Sequence, residues 1–147
     1  MQNLSIDTGV TCFSVNGGDG VLRFNPGDPN LYERFFNMAE LLDAMDAEFT
    51  TRAAEISAIG DETERARALL SLSGEADRKL KALLGEVFGP ENDFDAALGG
   101  VSLMAVNGDG ERVVVALMNA LAPIISAGAR RTMEEKVAEA KKGRKKR

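Results

Sequence analysis

Residues 25–58 read NPGDPNLYERFFNMAELLDAMDAEFTTRAAEISA, and this stretch decides the fold. Asp28 offers a carboxylate to the free N–H groups of a helix start, and Pro29 supplies a first helical residue whose missing N–H would be unpaired anyway. From there Leu31, Phe35, Met38, Leu41, Leu42, Met45, Phe49, Ala53 and Ile56 recur at steps of three and four. That spacing predicts an amphipathic helix over 29–58, stopped by Gly60.

Working outward, a second helix is expected over 61–88. Asp61 opens it with Glu64 three residues on, Leu69, Leu72 or Ser73, Ala76, Leu80, Leu83, Leu84 and Val87 line its apolar side, and Gly89-Pro90 ends it. Its charged side (Glu62, Arg65, Arg67, Glu75, Asp77, Arg78, Lys79, Lys81) reads as solvated surface. Upstream, residues 4–24 alternate between apolar and polar, and Asn16-Gly17-Gly18-Asp19-Gly20 divides them with residues that accept positive φ. This predicts a β-hairpin over 1–25. Its glycine cluster lacks the spacing and the lysine of a phosphate-binding loop.

Downstream, Phe94, Ala97 and Leu98 suggest a short helical turn closed by Gly99-Gly100. Asn107-Gly108-Asp109-Gly110 has the look of a calcium loop, but the twelfth position counted from Asn107 is Met118, where a bidentate acid is needed. The better reading is a turn that caps a last helix over 111–140. Pro123 should kink or divide that helix, and its polar end from Ala129 should project and fray. The expected class is therefore α+β, mainly α: an N-terminal β-hairpin, three principal helices and a short broken helical segment. Residues 1–140 form one domain in this reading, with 141–147 as a basic tail.

Composition limits the chemistry. The 147 residues contain 44% apolar and 28% charged side chains, the balance of a folded globular chain. There is no His, which removes the commonest general base and transition-metal ligand. The lone Cys12 can form neither an internal disulfide nor a thiolate cluster, and its alternating context reads as a small core hydrophobe rather than a reactive thiol. Carboxylates fall on solvent-facing helix positions such as Asp43, Asp46 and Glu48. The chain reads as non-catalytic, with no cofactor and no metal. The N-terminus lacks a basic segment followed by an apolar one, and the longest apolar-rich stretch, Val113 to Ser126, is interrupted by Asn119 and Pro123. A cytoplasmic protein without a membrane partner is expected.

Charge is placed unevenly. KKGRKKR at 141–147 brings Lys141, Lys142, Arg144, Lys145, Lys146 and Arg147 without an acid, so the net −5 of the chain leaves −11 on the residues before it. Such a tail could act as an electrostatic arm for nucleic acid. The acidic body, which offers no aromatic-plus-basic surface, speaks against that use.

The order of motifs resembles the tail assembly chaperones of siphophages. Three stretches carry the resemblance: Phe24-Asn25-Pro26-Gly27-Asp28-Pro29 followed by Tyr32, Phe35 and Phe36; Glu86-Val87-Phe88-Gly89 followed by Phe94 through Gly99-Gly100; and a terminal helix with a Lys/Arg-rich end. Pro123 and the region 60–75 depart from the pattern. The resemblance implies a non-catalytic phage or prophage protein in the bacterial host cytoplasm. It would bind the tape-measure protein, a long helical chain, and keep it soluble until tail-tube subunits assemble around it. Phe36, Met38, Met45, Phe88, Phe94 and Met104 are the candidate partner-binding residues, with Met118 and Met133 as further adaptable side chains if exposed; those at helix-face spacing could equally be core. A homo-oligomer is compatible with this role. The alternatives are a structural virion component, such as a connector or minor tail protein, and a nucleic-acid-binding accessory protein.

Overall fold

A computed structural model describes residues 1–145, and the side chains through Lys142. Two strands, β1 (Thr11–Ser14) and β2 (Val21–Phe24), are followed by α1 (Pro29–Ser57), α2 (Glu62–Phe88), α3 (Phe94–Ala97) and α4 (Val113–Lys145). The chain is 63% helical, α+β and mainly α.

The hairpin forms where the turn chemistry predicts, and it is shorter than expected. Asn16 and Gly17 both take positive φ (56° and 66°), as the centre of a tight, twisted hairpin turn requires. Gly18 N donates to Val15 O at 3.1 Å, and β1 and β2 pair antiparallel with Thr11 opposite Phe24. Residues 1–10 join no strand, and Leu4, Ile6 and Val10 are exposed. A local turn interrupts their alternation: Gly9, at φ 73°, donates to Asp7 Oδ1 at 2.9 Å. Cys12 faces solvent, contrary to the core reading, because the inward face of this short strand pair belongs to Phe13, Leu22 and Phe24.

The helix starts follow their caps. Asp28 Oδ1 accepts from Asn30 N at 3.0 Å with Pro29 in the first turn, and Asp61 Oδ1 accepts from Thr63 N at 2.9 Å. Asp93 caps α3 through Ala96 N at 3.1 Å. The Asn107 turn does not cap α4. Its Oδ1 accepts from Asp109 N and Glu111 N, and it closes a β-bridge between Val106 and Arg112, so the last helix begins two residues later than expected.

α4 continues through Pro123 undivided. It also runs past residue 140, so Lys141 to Lys145 are helical rather than a separate tail, while Lys146 and Arg147 lie outside the described residues.

The main core joins β2, the first half of α1, the second half of α2, α3 and the middle of α4. Leu22, Leu31, Met38, Leu84, Phe94, Leu103 and Ile125 are all at most 3% exposed. Phe88 stands at its centre, with its ring centroid 5.1 Å from that of Phe24 and 5.4 Å from that of Phe94. A second, smaller cluster of Phe49, Leu72 and Ala76 lies further along α1 and α2, and Met45 and Met104 pack against both.

α4 lies antiparallel to α1. At one end Arg112 approaches Asp46 at 3.7 Å; at the other, Thr132 Oγ1 donates to Gly27 O at 2.7 Å. Gly128 touches the Pro26–Gly27 backbone so closely that an added Cβ would collide with Pro26 O. Past Thr132 the helix is exposed as far as Lys142.

Candidate functional site

Because α4 begins beside Asp46, the two-helix arm made by the end of α1 and the start of α2 extends beyond it. The inside corner between arm and α4 is an apolar groove of about 730 Å³. α1 supplies Leu42, Met45, Phe49 and Ala53, and α2 supplies Leu69, Leu72, Ala76 and Leu80, both at the three- and four-residue spacing of a helix face. Met104 forms part of the floor, and Val114, Val115 and Met118 come from the first turns of α4. Asp43, Asp46 and Arg112 edge the opening. Leu69 and Val115 are 41% and 43% exposed, so the apolar lining reaches solvent.

The walls are held by polar contacts on the outside of the arm. Arg52 on α1 meets Glu75 on α2 at 2.7 Å, and Arg52 and Lys79 both stand over the Phe49 ring. The hydrogen bond from Arg52, reinforced by the two nearby cations, holds the Glu75 carboxyl below its usual value against the opposing effect of desolvation.

The floor is held by a network that the sequence reading assigned to solvated surface. Asp77 and Lys81, one helical turn apart, are largely covered. Lys81 Nζ donates to both Asp77 and Asp95 and to Val101 O, and Asp77 Oδ1 accepts from Leu103 N at 2.7 Å. These bonds fasten the 95–103 segment to α2, bury Leu103 completely and set Met104 in the groove. Burial alone would lower the pKa of the Lys81 ammonium, but the hydrogen bonds and charges of Asp95 and Asp77 outweigh it and the net shift is upward. The i,i+4 pair was visible in the sequence, but its second acid, Asp95, lies on another element.

The proposed partner-binding residues separate into three places. Met45, Met104 and Met118 line the groove together. Met38, Phe88 and Phe94 are 1%, 4% and 2% exposed and belong to the core, which corrects their assignment to a binding surface: the aromatic cluster around Phe88 consumes them. Phe36 is exposed beside Tyr32, away from the groove lining, and Met133 is exposed on the projecting end of α4. Lys141 and Lys142 are exposed on that same end, and Arg144 and Lys145 continue its backbone. Phe49, Leu69, Leu72 and Val115 were missed as site residues, since their spacing is that of any buried helix face.

α4 carries more apolar surface than this chain covers. By length and composition its Val113–Lys142 stretch is apolar enough to cross a membrane, notwithstanding Asn119 and Pro123, and 17% of its most apolar window is buried. Leu121 and Ile125 are in the core, while Val113, Val114, Leu117 and Met118 are half-covered. Among the described residues no three His, Cys, Asp or Glu side chains stand together as metal ligands would. Compared with known protein families, curated proteins and solved structures, the chain matches none.

Proposed function

We propose that this protein is a non-catalytic helix-binding assembly factor: a phage tail assembly chaperone whose groove receives an amphipathic segment of the tape-measure protein. The observation that carries the reading is the open groove between the α1–α2 arm and α4, lined by three methionines and by aliphatic side chains at helix spacing. A helix laid in such a groove buries apolar residues at i, i+3, i+4 and i+7, and each square ångström of apolar surface removed from water contributes about 25 cal/mol. Methionine suits a surface that must accept more than one segment of a long partner, because its flexible thioether repacks at little cost. The partner's identity is supported by the motif resemblance. An acidic exterior keeps such a chaperone soluble while its apolar groove is open.

Co-expression with the tape-measure protein tests this. The partner's soluble fraction should rise with the natural chain and fall back with Leu69→Asp or Val115→Asp, both at partly exposed positions of the groove. A chain ending at Ala140 should keep most of the effect at about 0.15 M salt, where exposed charges are screened beyond roughly 8 Å. No gain in solubility, or loss of the effect on removing residues 141–147 alone, would sink the proposal; a shift of duplex DNA by the intact chain at that salt would put the nucleic-acid reading in its place. A structural virion component is the second reading, and the long exposed end of α4 favours it, since a projecting helix is a ready contact for another subunit.

A further inference from the structure

Two unpartnered apolar features of this chain lie at opposite ends of the body. One is the groove, beside Asp46 at the start of α4. The other is the end of α4 beyond its last anchor, Thr132. There Ala129, Met133, Val137 and Ala140 follow one another at steps of four, four and three, which aligns them along one helix face. Met133 is 63% and Val137 50% exposed. A helix stripe of this kind, continued well past the body, is left uncovered by the described residues of its own molecule.

The two features are complementary in charge. Residues 129–147 contain nine Lys and Arg against three Glu, a net +6, while residues 1–128 carry −11. The α1 wall of the groove lies within a one-sided acidic stretch: from Phe35 to Thr51 there are four acids, Glu40, Asp43, Asp46 and Glu48, and no cation. Asp43 and Asp46 stand at the groove opening, where Arg112 offsets part of the charge of Asp46. The projecting end has exposed Arg130, Arg131, Lys136, Lys141 and Lys142 around its apolar stripe.

They cannot meet within one molecule. α4 runs from Asp46 back to Gly27, so its free end leaves the body on the side away from the groove. The span of α1 between those points is about 25 Å at 1.5 Å per residue, and a continuous helix does not turn back on itself. We infer that the projecting end of α4 seats in the groove of a second copy of this chain, head to tail, with Met133 and Val137 entering the apolar lining and the flanking cations facing the acidic α1 wall. Every copy then offers one donor end and one acceptor groove. A contact between unlike surfaces of this kind grows into open chains or closes into a ring, unlike a two-fold dimer. The inference rests on the groove being a helix acceptor, and it assigns the free protein a self-occupied groove that a partner helix must displace.

Light scattering coupled to size exclusion on the full chain, up to roughly 0.2 mM, should show a mass that climbs with concentration above the 15.7 kDa monomer. Salt near 1 M, where the Debye length is about 3 Å, should lower it. Three variants carry the test, all at positions exposed enough to spare the fold, with helical circular dichroism as the check. The donor-defective double variant Met133→Asp, Val137→Asp and the acceptor-defective double variant Leu69→Asp, Val115→Asp should each be monomeric alone. Mixed in equal amounts they retain one intact donor end and one intact groove, so they should form a 1:1 dimer that grows no further. The charge-reversed Lys141→Glu, Lys142→Glu chain should need about tenfold or more higher concentration to assemble, as expected when attraction across an interface becomes repulsion. A natural chain that stays monomeric, a double variant that still assembles, or a mixture that does not dimerise overturns the inference. A natural chain that stays monomeric while its tape-measure effect is intact would remove this inference alone; Leu69→Asp changing neither assembly nor that effect would remove both.

Discussion

Gly85 and Gly128 are indistinguishable as letters, each a helical glycine in a run of apolar and charged neighbours, and the structure separates them. Nothing lies within 4 Å of where a Cβ on Gly85 would stand, whereas one on Gly128 would strike the Pro26 carbonyl. Gly85→Ala should therefore stabilise by about 0.4–1 kcal/mol through lost freedom of the unfolded chain, and Gly128→Ala should cost about 1–3 kcal/mol as backbone is forced apart. Urea titrations of the two variants check the opposite signs. Lys81 teaches the same lesson for charge. Lys81→Met takes the lysine partner from Asp77 Oδ2 and Val101 O, a loss of about 1–3 kcal/mol at neutral pH. Since the folded-state pKa of Lys81 is raised, its contribution is fully present below its ordinary value of 10.5 and fades as pH climbs through the raised one. The difference between natural and Lys81→Met chains should shrink in melts as pH is taken above 10.5 and through the raised value. Spacing alone could not tell Met45 in the groove from Met38 in the core: both lie on the same α1 stripe, and what differs is whether α4 reaches that far.

Among the elements, the caps and glycines were the most legible part of the sequence: Asp28, Asp61 and Gly89 mark helix ends within a residue or two of where they fall. The hairpin was less so. Alternation at residues 4–10 has the right period, but a strand exists only where a partner strand pairs with it, and the sequence gives no sign that the Asp7–Gly9 turn breaks the run. Nor could pattern reveal how the outer edge of β2 is finished. Asn92, 3% exposed, uses its side-chain amide like a neighbouring strand: Oδ1 accepts from Arg23 N at 2.6 Å, and Nδ2 donates to Arg23 O and to Phe88 O. One side chain thereby ties β2 to the end of α2. Asn92→Leu leaves several of those backbone groups unpaired, at about 1–3 kcal/mol for a buried group, so it should destabilise more than Asp28→Ala, a surface cap costing about 1 kcal/mol. Thermal melts ranking the two in the reverse order would mean the edge of β2 is free to water.

For the whole molecule, helical content above half was readable from periodicity, and far-UV circular dichroism should report about the 63% observed; the groove was not readable, because it arises from a difference in reach between elements that each look ordinary. The clasp of Thr132 on Gly27 has a consequence in time. It joins residues 105 apart in the chain, so it can close only after nearly everything between them has been made. The hairpin and the α1–α2 pair depend on nearer neighbours and can assemble first, while the α4 side of Leu31, Phe35 and Met38 waits. On a ribosome adding about 5–20 residues per second, the roughly 90 residues from Met38 to Thr132 take about 5–20 s to appear. In refolding of the complete chain, closing so long a loop costs more entropy than closing the nearer contacts, so the clasp is expected to form after the rate-limiting step and damage to it should fall on unfolding. In stopped-flow experiments Gly128→Ala should unfold faster than the natural chain and refold at nearly the same rate, whereas Phe35→Ala, in the early α1–α2 half, should also refold more slowly. The last contact to form would then be the first to open, and the lifetime of the native state would be set where the two ends of α1 and α4 meet.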